Sequence, residues 1–192
     1  MSMRRQAACT TAGATRAQRM VDASLARRVT LARVAFGVDW AIDAALKWRP
    51  GFVSSFAGQV TSAAVGQPSW LHPWFSFWAS VVSHHPHLLA YATALVESLI
   101  ALGLIAGLAR RATYVIGFVW SLGIWSVPEG FGGPYTAQST DIGTGMIYAF
   151  LFVYLYTTEG HAASRSAGLD HAVEQHVPRW RRLSRPADRT RI

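Results

Sequence analysis

Charged side chains are scarce in this 192-residue chain, at 15% of residues against about a quarter in an ordinary soluble domain. None at all occurs from Pro50 to Val96, a stretch without Asp, Glu, Lys or Arg. With 51% apolar residues, this excludes a disordered chain and speaks against a water-soluble globule. Cysteine is nearly absent. The single Cys9 excludes an intrachain disulfide, and without a Cys-x-x-Cys pair the chain performs no dithiol chemistry alone. The first 28 residues also lack an apolar run before a small-residue cleavage site, so they do not read as a signal peptide.

What charge there is borders the apolar stretches. The formal net charge is +8. Of 18 Lys and Arg, seven lie at or before Arg33, seven at or after Arg165, and two are the adjacent Arg110 and Arg111. Only Lys47 and Arg49 lie elsewhere. Basic residues confined to such flanks fix the orientation of a multispanning membrane protein. No basic groove or aromatic platform accompanies them, which argues against a nucleic-acid partner.

Four apolar segments are candidate spans: 29–48, 88–109, 112–127 and 142–157. Twenty residues at about 1.5 Å each cover about 30 Å, one hydrocarbon thickness, and the two shorter segments borrow a turn from their flanks. Arg110 and Arg111 end the second, Pro128 stops the third, and Ser139, Thr140 and Asp141 form an N-cap cluster before the fourth. The expected fold is all-α, a four-transmembrane-helix bundle in the lipid bilayer of the plasma (cytoplasmic) membrane. Residues 1–28 and 159–192 form basic cytoplasmic tails around a membrane domain at 29–158, and the loops 49–86 and 128–141 lie outside. The last tail, with Arg179, Arg181 and Arg182, reads as a solvated topology signal able to touch anionic lipid. Gly103 and Gly107, then Gly117 and Ser121, place small residues four apart for close helix packing.

The first outer loop is apolar rather than polar. Phe52, Phe56 and Val60 share one helical stripe; Trp74, Phe77, Trp78 and Val81 share another behind Pro73. These predict two short interfacial helices. Their aromatics fit either a belt at the membrane surface or a lid over a quinone-sized cavity.

Ionisable residues inside the spans are the main functional signal. Asp39, Asp43 and Lys47 repeat at four-residue spacing in the first span, and Glu97 lies mid-way along the second. They predict either an internal polar network, with Lys47 paired to Asp43, or a proton-handling site built on Glu97, Asp39 and Asp43. Arg33 is expected to snorkel to the cytoplasmic surface. His84, His85 and His87 lack a completing Cys or carboxylate, and Pro86 breaks their helical spacing, so no metal site is expected. The segment 125–141 is dense in glycine, aromatic and acidic residues, which suits a functional loop folded over the bundle mouth.

Three stretches carry a family resemblance: RVAFGVDWAIDAALKW, ESLIALGLIAGLARR, and PEGFGGPYTAQSTDIGTGMIYAFLF. They resemble the DoxX/DoxD-like integral membrane proteins, whose namesakes belong to a thiosulfate:quinone oxidoreductase. The resemblance implies a role for Lys47, Glu97, Glu129, Gly130, Phe131, Gly132, Gly133, Pro134, Tyr135 and Asp141. The implied function is a quinone-linked subunit of a redox complex handling thiosulfate- or thiol-derived electrons. Glu97, Asp39 and Asp43 would handle protons; Lys47, Trp74, Trp78, Glu129, Phe131, Gly132, Gly133, Tyr135 and Asp141 would line the quinone site. Quinone is the implied cofactor, and a second redox subunit the implied partner, with self-association also admissible. Two other readings compete. One is a non-catalytic scaffold that docks a redox enzyme. The other is a small proton-coupled carrier, which the lack of an inverted repeat disfavours.

Overall fold

A computed structural model describes residues 2–135, 141–162 and 168–184. All regular structure among them is helical. The first helix, α1 (Ser2–Lys47), meets no proline along its 46 residues, and at about 1.5 Å per residue it extends some 69 Å. Prolines then set the next three helix starts. Pro50 opens α2 (Pro50–Ser62), with Arg49 held at φ −73°, ψ 141°, the extended geometry a residue before proline prefers. Pro73 lies in the first turn of α3 (His72–His84), and Pro86 begins α4 (Pro86–Ala106). Gly107 ends α4 in the left-handed region at φ 63°, its N–H bonded to Gly103 O, a glycine C-cap. After it come α5 (Arg110–Ser126), α6 (Thr144–Ala162) and the short α7 (Asp170–His176) and α8 (Arg181–Ser184). The two short helices read from the first loop are thus α2 and α3.

The most extensive packing pairs α1 with α4 and α5 with α6, and α1 also meets α6. Glycine makes both close pairings. A Cβ on Gly37 of α1 would lie 2.9 Å from Leu104 Cβ on α4, and one on Gly117 of α5 would lie 2.2 Å from the Phe152 ring on α6. Gly103 faces Thr113 in the same way. Gly107 does not act as a packing residue at helical spacing, because it has already left the helix. Between these helices lies a core of Val29, Phe36, Trp40, Leu104, Tyr114, Phe152 and Leu155. A smaller core of Val60, Val82 and Val127 joins α2 and α3 to the far end of α5.

Of the described helices, α4 alone is long and apolar enough to cross a membrane on length and composition. The helix α5 has 17 residues, about 26 Å, and the apolar half of α1 carries Arg33, Asp39, Asp43 and Lys47. Large aliphatic and aromatic side chains nevertheless face outward on all four long helices, among them Leu31, Ile42, Leu99, Leu102, Ile116, Val119, Ile147 and Phe150. Singly exposed apolar residues are ordinary, but contiguous apolar faces are not.

The chain after α6 does not behave as a solvated tail over residues 168–184. Gly168 rests on the backbone of Gly107, Leu169 N bonds Ala106 O at 3.0 Å, and Asp170 N bonds Gly107 O at 3.3 Å. The segment therefore closes over the connection between α4 and α5.

Candidate functional site

Two clusters of buried charge lie at opposite ends of the bundle. The first surrounds Arg110. Its Nε donates to Asp170 Oδ2 and its Nη1 to Glu159 Oε1, both at 2.9 Å. Asp170 also accepts from Ala109 N at 2.7 Å, Arg110 N at 3.2 Å and Trp180 Nε1 at 2.7 Å. Ala109, at φ 47°, occupies a region that non-glycine residues seldom adopt, and the carboxylate bonded to its N–H holds it there. Arg33 is part of this cluster. It is 1% exposed, donates to Leu104 O and Ile105 O, and lies 3.9 Å from Glu159. It does not snorkel: Glu159, brought alongside from α6, gives the guanidinium an internal partner. The Tyr114 hydroxyl donates to the other Glu159 oxygen. Burial works against the charge on Arg110, but Glu159 and Asp170 outweigh it and hold the guanidinium protonated above its ordinary range. Every acid here is bonded, and the two arginines balance the two carboxylates.

The second cluster joins α1 to α4 at the Lys47 end. Lys47 Nζ bonds Asp43 Oδ1 at 2.9 Å, one turn back on the same helix, and lies 3.4 Å from Glu97 Oε2. Glu97 is fully buried. Its Oε1 accepts a long bond from Trp120 Nε1 at 3.5 Å. Its Oε2 has no hydrogen-bond partner and only the ion-pair approach of Lys47. Such an oxygen retains accepting capacity that a ligand donor can use. The pairing of Lys47 with Asp43 expected for an internal polar network is present, with Glu97 as its buried member.

This cluster borders a cavity of about 270 Å³ lined by Lys47, Phe52, Phe56, Gln59, Thr93, Glu97 and Glu129, among others. A second cavity of about 280 Å³ runs alongside between α2, α3, α4 and α5, with Trp78, Val82, Leu89, Trp120, Gly123 and Val127 on its walls. Phe56, Val60, Thr93, Ile124 and Pro128 line both. The result is a chamber with charged groups set in a mostly apolar lining, here the polar chamber, beside an almost wholly apolar one.

The glycine-rich loop closes the polar chamber from the far side. Both Glu129 carboxylate oxygens accept from Gly145 N, at 2.9 and 3.2 Å, so Glu129 caps the start of α6 while forming a cavity wall. Ser139 and Thr140, expected as caps, lie outside the described residues, and Asp141 bonds Gly143 N at 2.9 Å. The Phe131 ring packs against Trp74, Phe75 and Trp125. Gln67 Nε2 donates to Gly130 O at 2.9 Å, and Trp74 Nε1 to Ser126 O at 2.9 Å. Gly132, at φ 75°, admits no Cβ, since one would lie 2.2 Å from Ile142 O.

Of the expected site residues, the fold brings Asp43, Lys47 and Glu97 together and sets Glu129 across the cavity from them; Trp78 lines the apolar chamber. Trp74, Phe131, Gly132 and Gly133 shape the loop. Tyr135 donates to Phe131 O at 2.6 Å and, like Asp141, is exposed. Asp39 stands apart from this group. It lies on the exposed side of α1 and engages the Tyr148 hydroxyl. The expected meeting of Asp39 with Glu97 is made instead by Asp43, one turn along, through Lys47. Thr93, Gln59 and Trp120 are additional lining residues. Thr93 had a readable signal, since it precedes Glu97 by four residues and so shares its helical face. Among the described residues, no group of three His, Cys, Asp or Glu side chains is placed to hold a metal ion.

No protein-family model matches this chain, and neither a curated protein nor a solved structure does.

Proposed function

We propose that this chain is a DoxX-like, four-span membrane subunit of a redox complex, and that it binds a quinone at the Lys47–Glu97–Glu129 cavity. One observation carries the reading: a chamber with a buried carboxylate and a lysine on an otherwise mostly apolar lining shares a wall with an almost wholly apolar one. A quinone combines the two chemistries, with a hydrogen-bonding ring on an apolar tail. Lys47 would donate to a ring carbonyl of the oxidised form. Glu97 Oε2, which has no hydrogen-bond donor of its own, would accept from a hydroxyl of the reduced form. When bound, the quinone supplies two-electron, two-proton redox chemistry. The protein's residues orient the ring, exclude water and hold a proton at Glu97, with Asp43 linking Lys47 to the outside.

Membrane insertion is supported by the outward aliphatic faces of α1, α4, α5 and α6 and by basic residues at the Arg110 end. On this reading the Arg110 end is cytoplasmic, as are both termini, and α2, α3 and the glycine-rich loop cover the outer end. The electron donor would dock as a separate subunit.

The test is purification in mild detergent, followed by mass spectrometry of extracted quinones and co-purifying proteins. A stoichiometric quinone, lost from Glu97→Gln and Lys47→Met proteins that still elute as folded species, is the expected result. Wild-type protein that carries no quinone, and whose tryptophan fluorescence added quinone does not quench, would sink the reading.

A further inference from the structure

Resting on that reading, we infer that the apolar chamber between α2, α3, α4 and α5 is the tail subsite of the ligand, and that Gly123 keeps its rim open. The ligand class is therefore a polar ring joined to an alkyl or isoprenyl chain, not a free ring.

Size is the first argument. Each chamber holds less than about 300 Å³, the lower bound for a typical small-molecule pocket; a tailed ligand needs both. Their shared wall supplies the route. Thr93 and Phe56 face both chambers, so the ring space beside Glu97 and the apolar space are separated by these side chains alone at that point, and a tail would pass by their rotation. The chemistry of the walls changes along that route. Lys47, Glu97, Glu129 and Gln59, with Phe52, line the polar chamber alone, whereas Trp78, Val82, Leu89 and Val127 line the other alone. A tail buried there loses its contact with water, and each methylene removed contributes separately to affinity.

Gly123 is the second argument. It sits on the face of α5 that also presents Trp120, Ile124 and Val127 to the chamber, at the i, i+3, i+4 spacing of one helical side. A Cβ added there meets nothing within 4 Å. Gly37, Gly103 and Gly117 are different, because a Cβ on each would collide with a neighbouring helix. No packing in the structure requires glycine at 123. Gly123 is exposed and stands at the open rim of the chamber, and a larger side chain there would narrow that rim without displacing protein atoms.

The probes are decylubiquinone and the same ring without its tail, ubiquinone-0, titrated against wild-type, Gly123→Ala and Gly123→Leu proteins by quenching of tryptophan fluorescence. Trp78 and Trp120 on the chamber wall are two of the eight tryptophans that report binding. Comparing proteins in one detergent cancels the probe's partition into micelles. The expected result is that Gly123→Leu weakens decylubiquinone at least tenfold, leaves ubiquinone-0 within about twofold, and keeps the melting temperature, with Gly123→Ala between. Equal weakening of both probes, or no change in either, would overturn the tail assignment while leaving the ring site intact. A wild-type protein that quenches with neither probe removes the ring site as well. Lipid analysis separates the two sources of an alkyl chain. A phospholipid retained by the wild type that decylubiquinone does not displace would assign the chamber to structural lipid and overturn the inference.

Discussion

The two buried charge clusters use the same residue types to opposite ends. Around Arg110, two cations meet two carboxylates, each acid oxygen has a donor, and Asp170 alone collects four hydrogen bonds. Around Lys47, one cation serves Asp43 and Glu97 with Glu129 on the facing wall, Glu97 keeps an unbonded oxygen, and a cavity adjoins it. A closed, neutral cluster whose carboxylates are all bonded locks a fold. One that is open, acid-rich and incompletely bonded leaves room for a ligand. The difference teaches that burial of charge does not by itself mark function; the state of satisfaction and the adjoining space do.

Breaking the closed cluster should have the largest effect. Arg110→Met leaves Glu159 and Asp170 buried without their shared cation, and removing one partner of such a pair costs about 3–5 kcal/mol. The expected outcome is a protein that no longer elutes as a folded species from size-exclusion chromatography at ordinary temperature. A melting temperature close to wild type would show that the C-terminal return contributes little to the fold. Gly117→Leu comes next. Its side chain would overlap the Phe152 ring, and overpacking of this kind costs about 1–3 kcal/mol, read as a lowered melting temperature with the helical content intact.

At the open end the order reverses, with small effects on stability and large ones on binding. Glu97→Gln should change the unfolding free energy by less than about 1 kcal/mol, since its present bonds are long, while quinone affinity falls about tenfold or more. If both quantities move together, the Lys47 cluster is structural like its counterpart. The smallest effect belongs to Asp39→Asn. Because Asp39 faces away from both chambers, quinone affinity should stay within about twofold, and a larger loss would extend the site across α1.

Much of the architecture was legible from residues. Pro73 was readable as a first-turn residue because a ring-locked φ suits a first turn and forbids continuation, and Pro50 and Pro86 start helices in the same way. The stripes of α2 and α3 were visible as apolar spacing, and Lys47 with Asp43 was visible because four residues on one helix are neighbours. Contacts between distant segments were not legible. Arg33 read as a snorkelling arginine because only the packing of α6 brings Glu159 beside it. Residues 168–184 read as a tail because their composition is polar, and Asp170 gains its value only when Ala109 and Arg110 present N–H groups to it. Asp39 and Asp43 are equivalent in sequence, and the rotation of α1 against α4 separates them.

The sequence by itself determined an all-helical chain, the apolar segments, the first turn of α3 at Pro73 and the local Asp43–Lys47 pair. These follow from backbone restriction and short-range spacing, which need no knowledge of what lies opposite. Tertiary structure alone decided that Glu97 meets Lys47, that Glu129 caps α6 while walling a cavity, and that Arg110 is enclosed by two acids. It also decided that Gly123 borders open space while Gly37, Gly103 and Gly117 face neighbouring helices. Each of those depends on which helical faces meet, and that is set by the packing of the whole bundle.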